Sequence, residues 1–512
     1  MKVTRPKRTF LPENFKIDTW ENVEQFFIDL EKRPIDTKEA FEQWISDQSE
    51  LEAVISEDLA WRYIKMTIDT KDKELADAYA FFVKEIQPQL EPYSFRLNKK
   101  LSASPFKSEF KNEAYKIYFR GVDTAIKLFR EENIPLNAEL AEKSQIHGAV
   151  SGAQSIEHNG EKMTMQKAGS LLKENDETLR KTIFDKMAAR RAEDTEQLDD
   201  LFTELIQLRH KVATNAGYDN FRDYMFDSLG RFDYSKEDCF DFHQSVKEEI
   251  VPLVKQISQK KAELMGKEKL KPWDSQVDPL GRKPLKPFKD GKELLEKTTV
   301  IFDKIDSYFG DCLRTMDAMG YLDLDSKDGK SPGGYNYPLY EIGVPFIFMN
   351  SVGSQRDLIT MVHEGGHAIQ SFLTRDLELT SFKSFPSEVA ELASMSMELL
   401  SMDYWDEFYD NQEDLTRAKI EQLETILEIL PWVATIDEFQ HWIYENPTHS
   451  KEERKVKWIS LLDDYGTGVT DWTGYESVRE YSWQRQLHLY EVPFYYIEYG
   501  MAQLGALAVW KN

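Results

Sequence analysis

Two histidines and a glutamate stand at a spacing that favours metal chemistry. The stretch from Met361 to Ile369 reads M-V-H-E-G-G-H-A-I, so His363 and His367 occupy positions i and i+4, with Glu364 directly after the first. On a helix this spacing places both imidazoles on one face, where they can bind the same Zn²⁺. Glu364 can then take a proton from a water that the metal has acidified. The pattern predicts hydrolysis at a carbonyl group.

A catalytic zinc site usually has a third protein ligand and one open position. The stretch from Ser387 to Glu398 reads S-E-V-A-E-L-A-S-M-S-M-E, which is typical of a second helix that Ser387 can cap. Glu391 and Glu398 are two turns apart on one face of that helix. The segment between His367 and Glu391 leaves room for a loop and a returning antiparallel helix. On spacing alone, Glu388 competes with Glu391 as the third ligand.

The two motifs together resemble those of the thimet oligopeptidase / oligoendopeptidase F family of zinc metallopeptidases, in particular its bacterial oligoendopeptidase F-like enzymes. In that family H-E-x-x-H is followed by E-[LV]-A-S-x-x-x-E, which here begins at Glu391 and ends at Glu398. The resemblance implies one Zn²⁺ per chain, with Glu391 rather than Glu388 as the third ligand. It also implies that Glu398 orients a ligand histidine. The family pattern usually continues through further helices beyond Asn512.

A cluster of tyrosines near the end of the chain is the second place where chemistry is expected. The stretch from Gln486 to Gly500 reads Q-L-H-L-Y-E-V-P-F-Y-Y-I-E-Y-G. Tyrosine hydroxyls and an imidazole can donate to a developing oxyanion, although such a cluster is also typical of aromatic packing. The resemblance implies that the tetrahedral intermediate is stabilised by His488 and Tyr499, with Tyr496 as a helper. Tyr495 competes for the tyrosine role.

A glycine-rich loop and a short apolar strand precede the metal motif. Pro345, just before the strand, favours an edge strand, which would offer unpaired N–H and C=O groups to an extended peptide. The alternative is a hairpin that has only a structural role. The resemblance supports the first interpretation, because a short sheet and a glycine-rich loop border the family's substrate cleft. The residues expected to contact substrate are Gly333, Gly334, Tyr335, Phe346, Ile347 and Phe348.

Composition narrows the class of protein. The chain has 512 residues, 41% of them hydrophobic and 30% charged, which is typical of a soluble globular protein. The net charge of -26 disfavours binding to a nucleic-acid backbone. No apolar stretch is long enough for a transmembrane helix, and the basic N-terminus lacks the apolar region of a signal peptide. The two cysteines, Cys239 and Cys312, suit no metal or disulfide pattern, so we expect a cytoplasmic protein.

The rest of the chain supplies elements that position these residues. Helical periodicity dominates, and Asn159-Gly160 lies between two alternating stretches that predict a β-hairpin near residues 153–165. The basic pair Arg190-Arg191 is interpreted as part of a solvated helix face. The other histidines have no partner at metal spacing and are interpreted as ordinary structural residues; they are His147, His158, His210, His243, His441 and His449.

These observations predict a mainly α-helical fold, with two helical lobes around a deep substrate channel and a small β-sheet beside the zinc helix. Residues 1–200 are expected to form the N-terminal lobe, and residues 201–512 the catalytic region. The predicted function is cleavage of internal bonds in short unfolded peptides, with no nucleic-acid or membrane partner and as a monomer or homodimer. The alternatives are a carboxypeptidase or dipeptidyl activity of the same fold, another zinc hydrolase such as an amidase or aminopeptidase, and a non-catalytic peptide-binding protein with a zinc site.

Overall fold

A computed structural model describes every residue from Met1 to Asn512, and α-helices make up most of it. This confirms the predicted mainly α-helical class. None of the helices is both long and apolar enough to cross a membrane. In chain order the helices are α1 (Trp20–Lys32), α2 (Lys38–Ile68), α3 (Lys73–Phe81), α4 (Gln87–Ser102), α5 (Glu113–Leu128), α6 (Asn133–Ala153), α7 (Met165–Ser170), α8 (Glu177–Ala192), α9 (Thr195–Asn215), α10 (Phe221–Ser228), α11 (Lys236–Ser245), α12 (Val251–Leu264), α13 (Gly291–Ile305), α14 (Ser307–Met319), α15 (Gln355–Thr374), α16 (Ser387–Ser401), α17 (Gln412–Glu445), α18 (Lys451–Asp464), α19 (Glu476–Glu480), α20 (Leu487–Glu491) and α21 (Ile497–Lys511).

Five short strands form two small sheets. An antiparallel hairpin pairs β1 (Ser155–His158) with β2 (Glu161–Thr164). Its two turn residues both have positive φ, 53° at Asn159 and 78° at Gly160, as a type I′ turn requires. The predicted hairpin is therefore confirmed. The second sheet has the order β3 (Leu322–Asp325), β5 (Phe346–Ser351), β4 (Tyr335–Tyr337), with β3 parallel and β4 antiparallel to β5.

The chain divides into two compact units, each assembled from separate stretches. Unit 1 comprises Met1–Lys127, Leu285–Lys419 and Met501–Asn512, and unit 2 comprises Leu128–Pro284 and Ile420–Gly500. The functional division at residue 200 stays a prediction, as does the channel.

Helix caps and apolar faces explain how the first helices of unit 1 pack. The hydroxyl of Thr37 accepts a hydrogen bond from the Ala40 backbone and so caps α2. Trp44 on α2 is fully buried, and its indole N–H donates to the Leu30 carbonyl on α1 at 2.8 Å. The same apolar cluster includes Leu97 and further residues of α4 and α5. Burial of such large side chains stabilises each helix far more than its intrinsic propensity does.

Proline positions show where sequence patterns predict helix boundaries well and where they do not. Pro252 lies in the first turn of α12, directly after a π-helical turn at Val246–Ile250, as expected for a proline, which interrupts regular α-helical hydrogen bonding. Pro92, by contrast, lies inside α4, although a proline commonly marks a helix boundary. That helix follows another π-helical turn, Phe82–Ile86, which runs on from α3 without a loop.

The prediction of an edge strand at Phe346 is wrong. β5 is the central strand of its sheet, and its backbone pairs with both neighbours. Pro345 is tolerated because it precedes the first residue of the strand. Phe346, Ile347 and Phe348 are buried, so they have neither free backbone groups nor exposed side chains for a peptide. The edge strands are instead β3 and β4, and β4, which begins at Tyr335, is the one that follows the glycine-rich loop.

Candidate metal centre

The H-E-x-x-H motif lies on α15 in unit 1. The helix begins with a capping box, in which Ser354 Oγ accepts from the Asp357 backbone and Asp357 accepts from the Ser354 backbone at 2.9 Å. The apolar side chains around the motif, such as Met361 and Val362, are buried. The cap and the buried face together place His363, Glu364 and His367 in the middle of a well-anchored helix.

α16 packs against α15 and brings Glu391 to the two histidines. Single ligand atoms of His363, His367 and Glu391 all lie within 4.8 Å of one another. His363 Nε2 is 3.3 Å and His367 Nε2 is 3.9 Å from the same carboxylate oxygen of Glu391. Two imidazole nitrogens and a carboxylate oxygen converging in this way form a donor set that fits Zn²⁺. Glu388 is not part of this group.

The pKa values of the two histidines differ because their neighbours differ. Burial alone would lower the pKa of His363, but hydrogen bonds to Glu391 and Glu398 raise it to about 10. The Glu398 bond is 2.7 Å long and involves Nδ1, so Nε2 is left facing Glu391. Burial and the charge of His363 lower the pKa of His367 to about 4. The lowered pKa keeps the His367 ring neutral near pH 7, whereas the two carboxylates favour a proton on His363, which would be released when a metal binds.

Glu364 is buried beside this group. Burial raises the pKa of its carboxyl to about 7, against the opposing influence of His363. The neighbouring strand β4 is fixed to the same place, because the Asn336 side-chain amide donates to the Glu364 carbonyl at 3.3 Å. A carboxyl group with a pKa near neutrality is suited to accept and release protons.

Two glycines inside the motif permit the close approach of other elements. A Cβ at Gly366 would lie 2.6 Å from the Ser394 Cα and 2.8 Å from the Ala393 carbonyl oxygen. A Cβ at Gly365 would lie 2.6 Å from the Phe302 ring on α13. The crossing of α15 over α16 is therefore set by the absence of a side chain at Gly366, and this crossing brings Glu391 within reach of the histidines.

The predicted oxyanion residues form a cluster of their own in unit 2. The His488 ring centroid lies 4.8 Å from that of Tyr496 and 5.9 Å from that of Tyr499. Gln486 Nε2 lies 2.6 Å from His488 Nδ1. Burial raises the pKa of Tyr496 to about 12, so its hydroxyl keeps its proton. Tyr495 is 6.1 Å from His488, centroid to centroid. The catalytic role of the cluster stays a prediction.

Of the residues predicted to contact substrate, Gly333, Gly334 and Tyr335 lie at or just before the edge strand β4.

Two residues that the sequence did not predict hold the candidate site in place through hydrogen bonds. Ser394 Oγ donates to Glu391 at 3.3 Å, and Asn336 ties β4 to α15. The E-L-A-S stretch contains the serine, but nothing local to the sequence shows which way it points.

A second buried group of potential ligands lies in unit 2 and corrects one expectation. Cys239 on α11 and Asp437 and His441 on α17 have ligand atoms within 4.8 Å of one another. His243, one turn after the cysteine, lies 2.8 Å from Asp437, and His441 lies 3.2 Å from the same oxygen. The two histidines therefore do have a partner. The signal was an i, i+4 pair on each helix, which becomes informative only when the helices are known to face each other.

Comparison with known proteins agrees with this geometry. Residues 170–512 match the description "Peptidase family M3", and residues 10–129 match "Peptidase M3 N-terminal domain". An oligoendopeptidase F homolog of Lactococcus lactis subsp. lactis is 23% identical over 266 residues, which is 51% of this chain and 41% of that protein. The matched part thus spans less than half the length of this relative. Oligopeptidase PepF of Bacillus subtilis is 33% identical over 94 residues, 18% of this chain and 13% of that protein.

Solved structures are similar over nearly the whole chain. A structure of PZ peptidase A with an inhibitor superposes with a TM-score of 0.89 at 27% identity, covering 97% of this chain and 88% of the other. A structure assigned as an oligoendopeptidase F from Bacillus anthracis gives 0.84 at 26% identity, with 97% and 87% covered. The resemblance noted from the motifs is thereby confirmed. Since the family description covers most of its residues, the chain belongs to peptidase family M3.

Proposed function

We propose that this chain is a zinc-dependent oligoendopeptidase, which hydrolyses internal peptide bonds of short unfolded peptides. The observation that carries the proposal is the convergence of His363, His367 and Glu391 beside the buried carboxyl of Glu364. Zinc held by those three residues would supply Lewis acidity, polarising the scissile carbonyl and acidifying the attacking water. Membership in a peptidase family supports a peptide rather than another carbonyl compound as the substrate.

Glu364 moves the proton in the proposed reaction. With a pKa of about 7, raised by burial, its carboxylate can take a proton from the attacking water at neutral pH. The same oxygen then gives the proton to the amine nitrogen as the peptide bond breaks. Burial also keeps bulk water from competing for that proton.

The peptide backbone is proposed to bind along β4. This strand has a free edge, and the Asn336 side chain ties it to the metal-bearing helix. An extended substrate that adds to such an edge is held by main-chain hydrogen bonds, which do not depend on its sequence. Gly333 and Gly334 precede the strand and present no bulky side chain to the substrate. We propose that these two glycines and Tyr335 form one wall of the substrate site.

The cluster of His488, Tyr496 and Tyr499 is proposed to stabilise the oxyanion of the tetrahedral intermediate. Support comes from the close packing of the three rings and from the raised pKa of Tyr496, which keeps its hydroxyl a hydrogen-bond donor.

The cytoplasm is the proposed compartment, because both cysteines are buried and unpaired.

The first test is hydrolysis of quenched fluorescent peptides of about 5 to 15 residues, a length suited to a ligand site of limited volume. Peptides acetylated at one end and amidated at the other are resistant to exopeptidases. Cleavage of these blocked peptides that stops with a chelator and returns with zinc is expected. Cleavage of unblocked peptides alone would favour an exopeptidase, and no cleavage by zinc-loaded protein would favour a peptide-binding protein.

Glu364→Gln separates metal binding from catalysis. The amide retains the size of the side chain but cannot accept the proton, so kcat is expected to fall by several orders of magnitude. Loss of a single general base lowers the rate by roughly 10²–10⁴-fold, and the fall is expected to be larger here because the acid and base roles are lost together. Zinc content, measured by elemental analysis, is expected to stay at one per chain. A variant that binds zinc and keeps its activity would refute the proposed role of Glu364.

A further inference from the structure

A cavity of about 410 Å³ lies within unit 2, away from any residue assigned a role above. Its walls come from the end of α6, the last turns of α8, the start of α9 and the segment from Tyr475 to Arg485. Small apolar groups such as Ala188 and Val478 supply part of the lining. Its volume falls in the range of about 300–1,000 Å³ that is typical of small-ligand sites.

Two arginines of this cavity have no acidic partner, whereas Asp185, the one carboxylate in the lining, pairs with Lys181 at 2.6 Å. Arg191 is in the last turn of α8, and Arg485 ends a short 3₁₀ segment that begins at Ser482. Neither guanidinium has a carboxylate within 4.0 Å in the described chain. Arg485 Nε makes one long hydrogen bond, 3.4 Å, to the Ser482 carbonyl. By contrast, the adjacent Arg190 pairs with Asp194 at 2.6 Å.

Two positive charges lie near each other at this cavity. Burial, together with the positive charge of Arg485, lowers the pKa of Arg191 to about 10. The Arg191 side chain is half-buried, whereas Arg485 is exposed. Like charges that lie close together repel, and an anion between them relieves that repulsion. The chain has 91 acidic and 65 basic residues, so acidic partners are in surplus elsewhere. The two arginines nevertheless line one cavity without a carboxylate partner.

A structural role explains only part of this arrangement. Cations in the last turn of a helix interact favourably with its dipole, and both Arg190 and Arg191 satisfy that condition. Arg190 already provides this interaction from the outer side of the helix. The dipole of α8 does not account for Arg485, which comes from a different element and faces the same cavity.

We propose that this cavity is a binding site for the carboxylate of a peptide, held between the guanidinium groups of Arg191 and Arg485. Planar guanidinium groups bind carboxylates through two parallel hydrogen bonds, which suits this ligand better than a spherical anion. The apolar lining beside Ala188 and Val478 receives the hydrocarbon part of the ligand. The carboxylate belongs either to the C-terminus of the peptide or to an aspartate or glutamate side chain. The choice of a peptide as the ligand rests on the proposed function.

The test measures binding rather than turnover, in the full chain with Glu364→Gln to stop cleavage. Three fluorescent hexapeptides share one apolar sequence: one has a free C-terminal acid, one a C-terminal amide, and one is an amide with an internal glutamate. Fluorescence anisotropy gives each Kd. A charge-assisted pair of hydrogen bonds predicts that a carboxylate peptide binds about 10- to 100-fold more tightly than the plain amide.

Variants added to Glu364→Gln locate the site. Arg191→Gln and Arg485→Gln are each expected to remove most of the preference for a carboxylate, whereas Arg191→Lys retains part of it. Arg190→Gln is the matched control, because it removes one positive charge from the same helix turn outside the cavity. Thermal unfolding and circular dichroism establish that each variant is folded. For a variant that fails this check, the corresponding lysine variant is compared instead.

Each outcome of the binding measurements supports or overturns the proposal. Tighter binding of the free acid identifies the C-terminal carboxylate, and tighter binding of the glutamate amide identifies the side chain. Equal binding of all three peptides, or a preference that survives Arg191→Gln and Arg485→Gln, would overturn the proposal. Hydrolysis of blocked peptides by the unmodified chain is measured separately. Selective binding without hydrolysis would defeat the proposed function alone, and hydrolysis without selective binding would defeat the carboxylate site alone.

Discussion

Glu398 contacts the candidate metal centre at the His363 side chain. Its carboxylate lies 2.7 Å from Nδ1 of that ring, which fixes the ring orientation and leaves Nε2 facing Glu391. A carboxylate in this position also makes the imidazole a stronger ligand. The contribution of Glu398 is therefore expected to appear in metal affinity before it appears in the chemical step.

We expect Glu398→Gln to weaken zinc binding by about 10- to 100-fold, because the neutral amide holds the His363 ring less firmly. Competition with a chromophoric chelator measures the zinc Kd, and kcat is measured at saturating zinc. Glu388→Gln is the matched control on the same helix, since Glu388 lies outside the ligand group. Equal zinc affinity of Glu398→Gln and the unmodified chain would contradict this role.

Tyr499 and Tyr495 provide a second comparison. Their ring centroids are 5.4 Å apart, and both lie near His488. If Tyr499 donates to the oxyanion, Tyr499→Phe is expected to lower kcat by about 10²–10³-fold with little change in KM. Tyr495→Phe is expected to have a much smaller effect. Steady-state kinetics on one blocked peptide distinguishes the two, and a reversed order would assign the role to Tyr495.

At the scale of single residues, the grouping of the candidate metal ligands could be predicted from the sequence, because it depends on local spacing and on the family motif. His363 and His367 share a helix face through their spacing, and the family motif selects Glu391. Asn336 and Ser394 were not predicted. Each contributes one hydrogen bond whose partner depends on how β4 and α16 pack against α15. No residue type or local pattern carries that information.

At the scale of elements, the close crossing of α15 over α16 is the feature on which the metal centre depends. A methyl group at position 366 would overlap the Ser394 Cα and the Ala393 carbonyl, both of which are backbone and have little freedom to move. The helices would have to separate, and the carboxylate of Glu391 would move away from the histidines. Stability and metal affinity should therefore change together.

Gly366→Ala is expected to lower the free energy of unfolding by about 1–3 kcal/mol through overpacking, and to weaken zinc binding as well. Gly121→Ala is the control, because Gly121 lies inside α5 and a methyl group there would have no neighbouring atom within 4 Å. At that position the better helix propensity of alanine should stabilise by roughly 0.5–1 kcal/mol. Denaturant unfolding and zinc titration report both effects, and a neutral Gly366→Ala would show that the helices can adjust.

The wrong prediction of an edge position for β5 shows which information is lacking when a strand is predicted from its own sequence. The sequence around Phe346 correctly predicted a short apolar strand, and the pattern of burial agrees. Its position in the sheet depends on β3, which comes from a separate stretch near Leu322 and pairs with it in parallel. A proline before a strand is compatible with a central or an edge position. Only the non-local partner decides between them.

At the scale of the whole molecule, the buried carboxylate of Asp437 links stability to pH. Burial alone would raise its pKa, but His441 and His243 beside it hold the pKa well below the usual range. Arg231 and Cys239 also lie close enough to influence this group. Because the pKa is lower in the folded state, the stabilising contribution is complete above the ordinary aspartate pKa of about 3.9 and is lost as the pH falls below it.

Asp437→Asn is therefore expected to destabilise the protein at pH 7 and to reduce the loss of stability as the pH falls below about 4. Urea unfolding at several pH values measures both. Asp376→Asn is a suitable control, since that side chain is 93% exposed. Identical pH slopes for Asp437→Asn and the unmodified chain would show that another group governs acid unfolding.

The order in which the chain is made has a consequence for the metal centre. Unit 1 is completed by residues 501–512, and Gly505 there packs so closely that a methyl group would lie 2.7 Å from the Leu392 side chain, next to Glu391. A ribosome adds about 5–20 residues per second, so this segment emerges long after α15 and α16. The Leu392 side chain therefore obtains this packing partner only after residue 505 has left the ribosome. A nascent chain that has not yet reached residue 505 therefore lacks one of the contacts that hold the Glu391 helix in place.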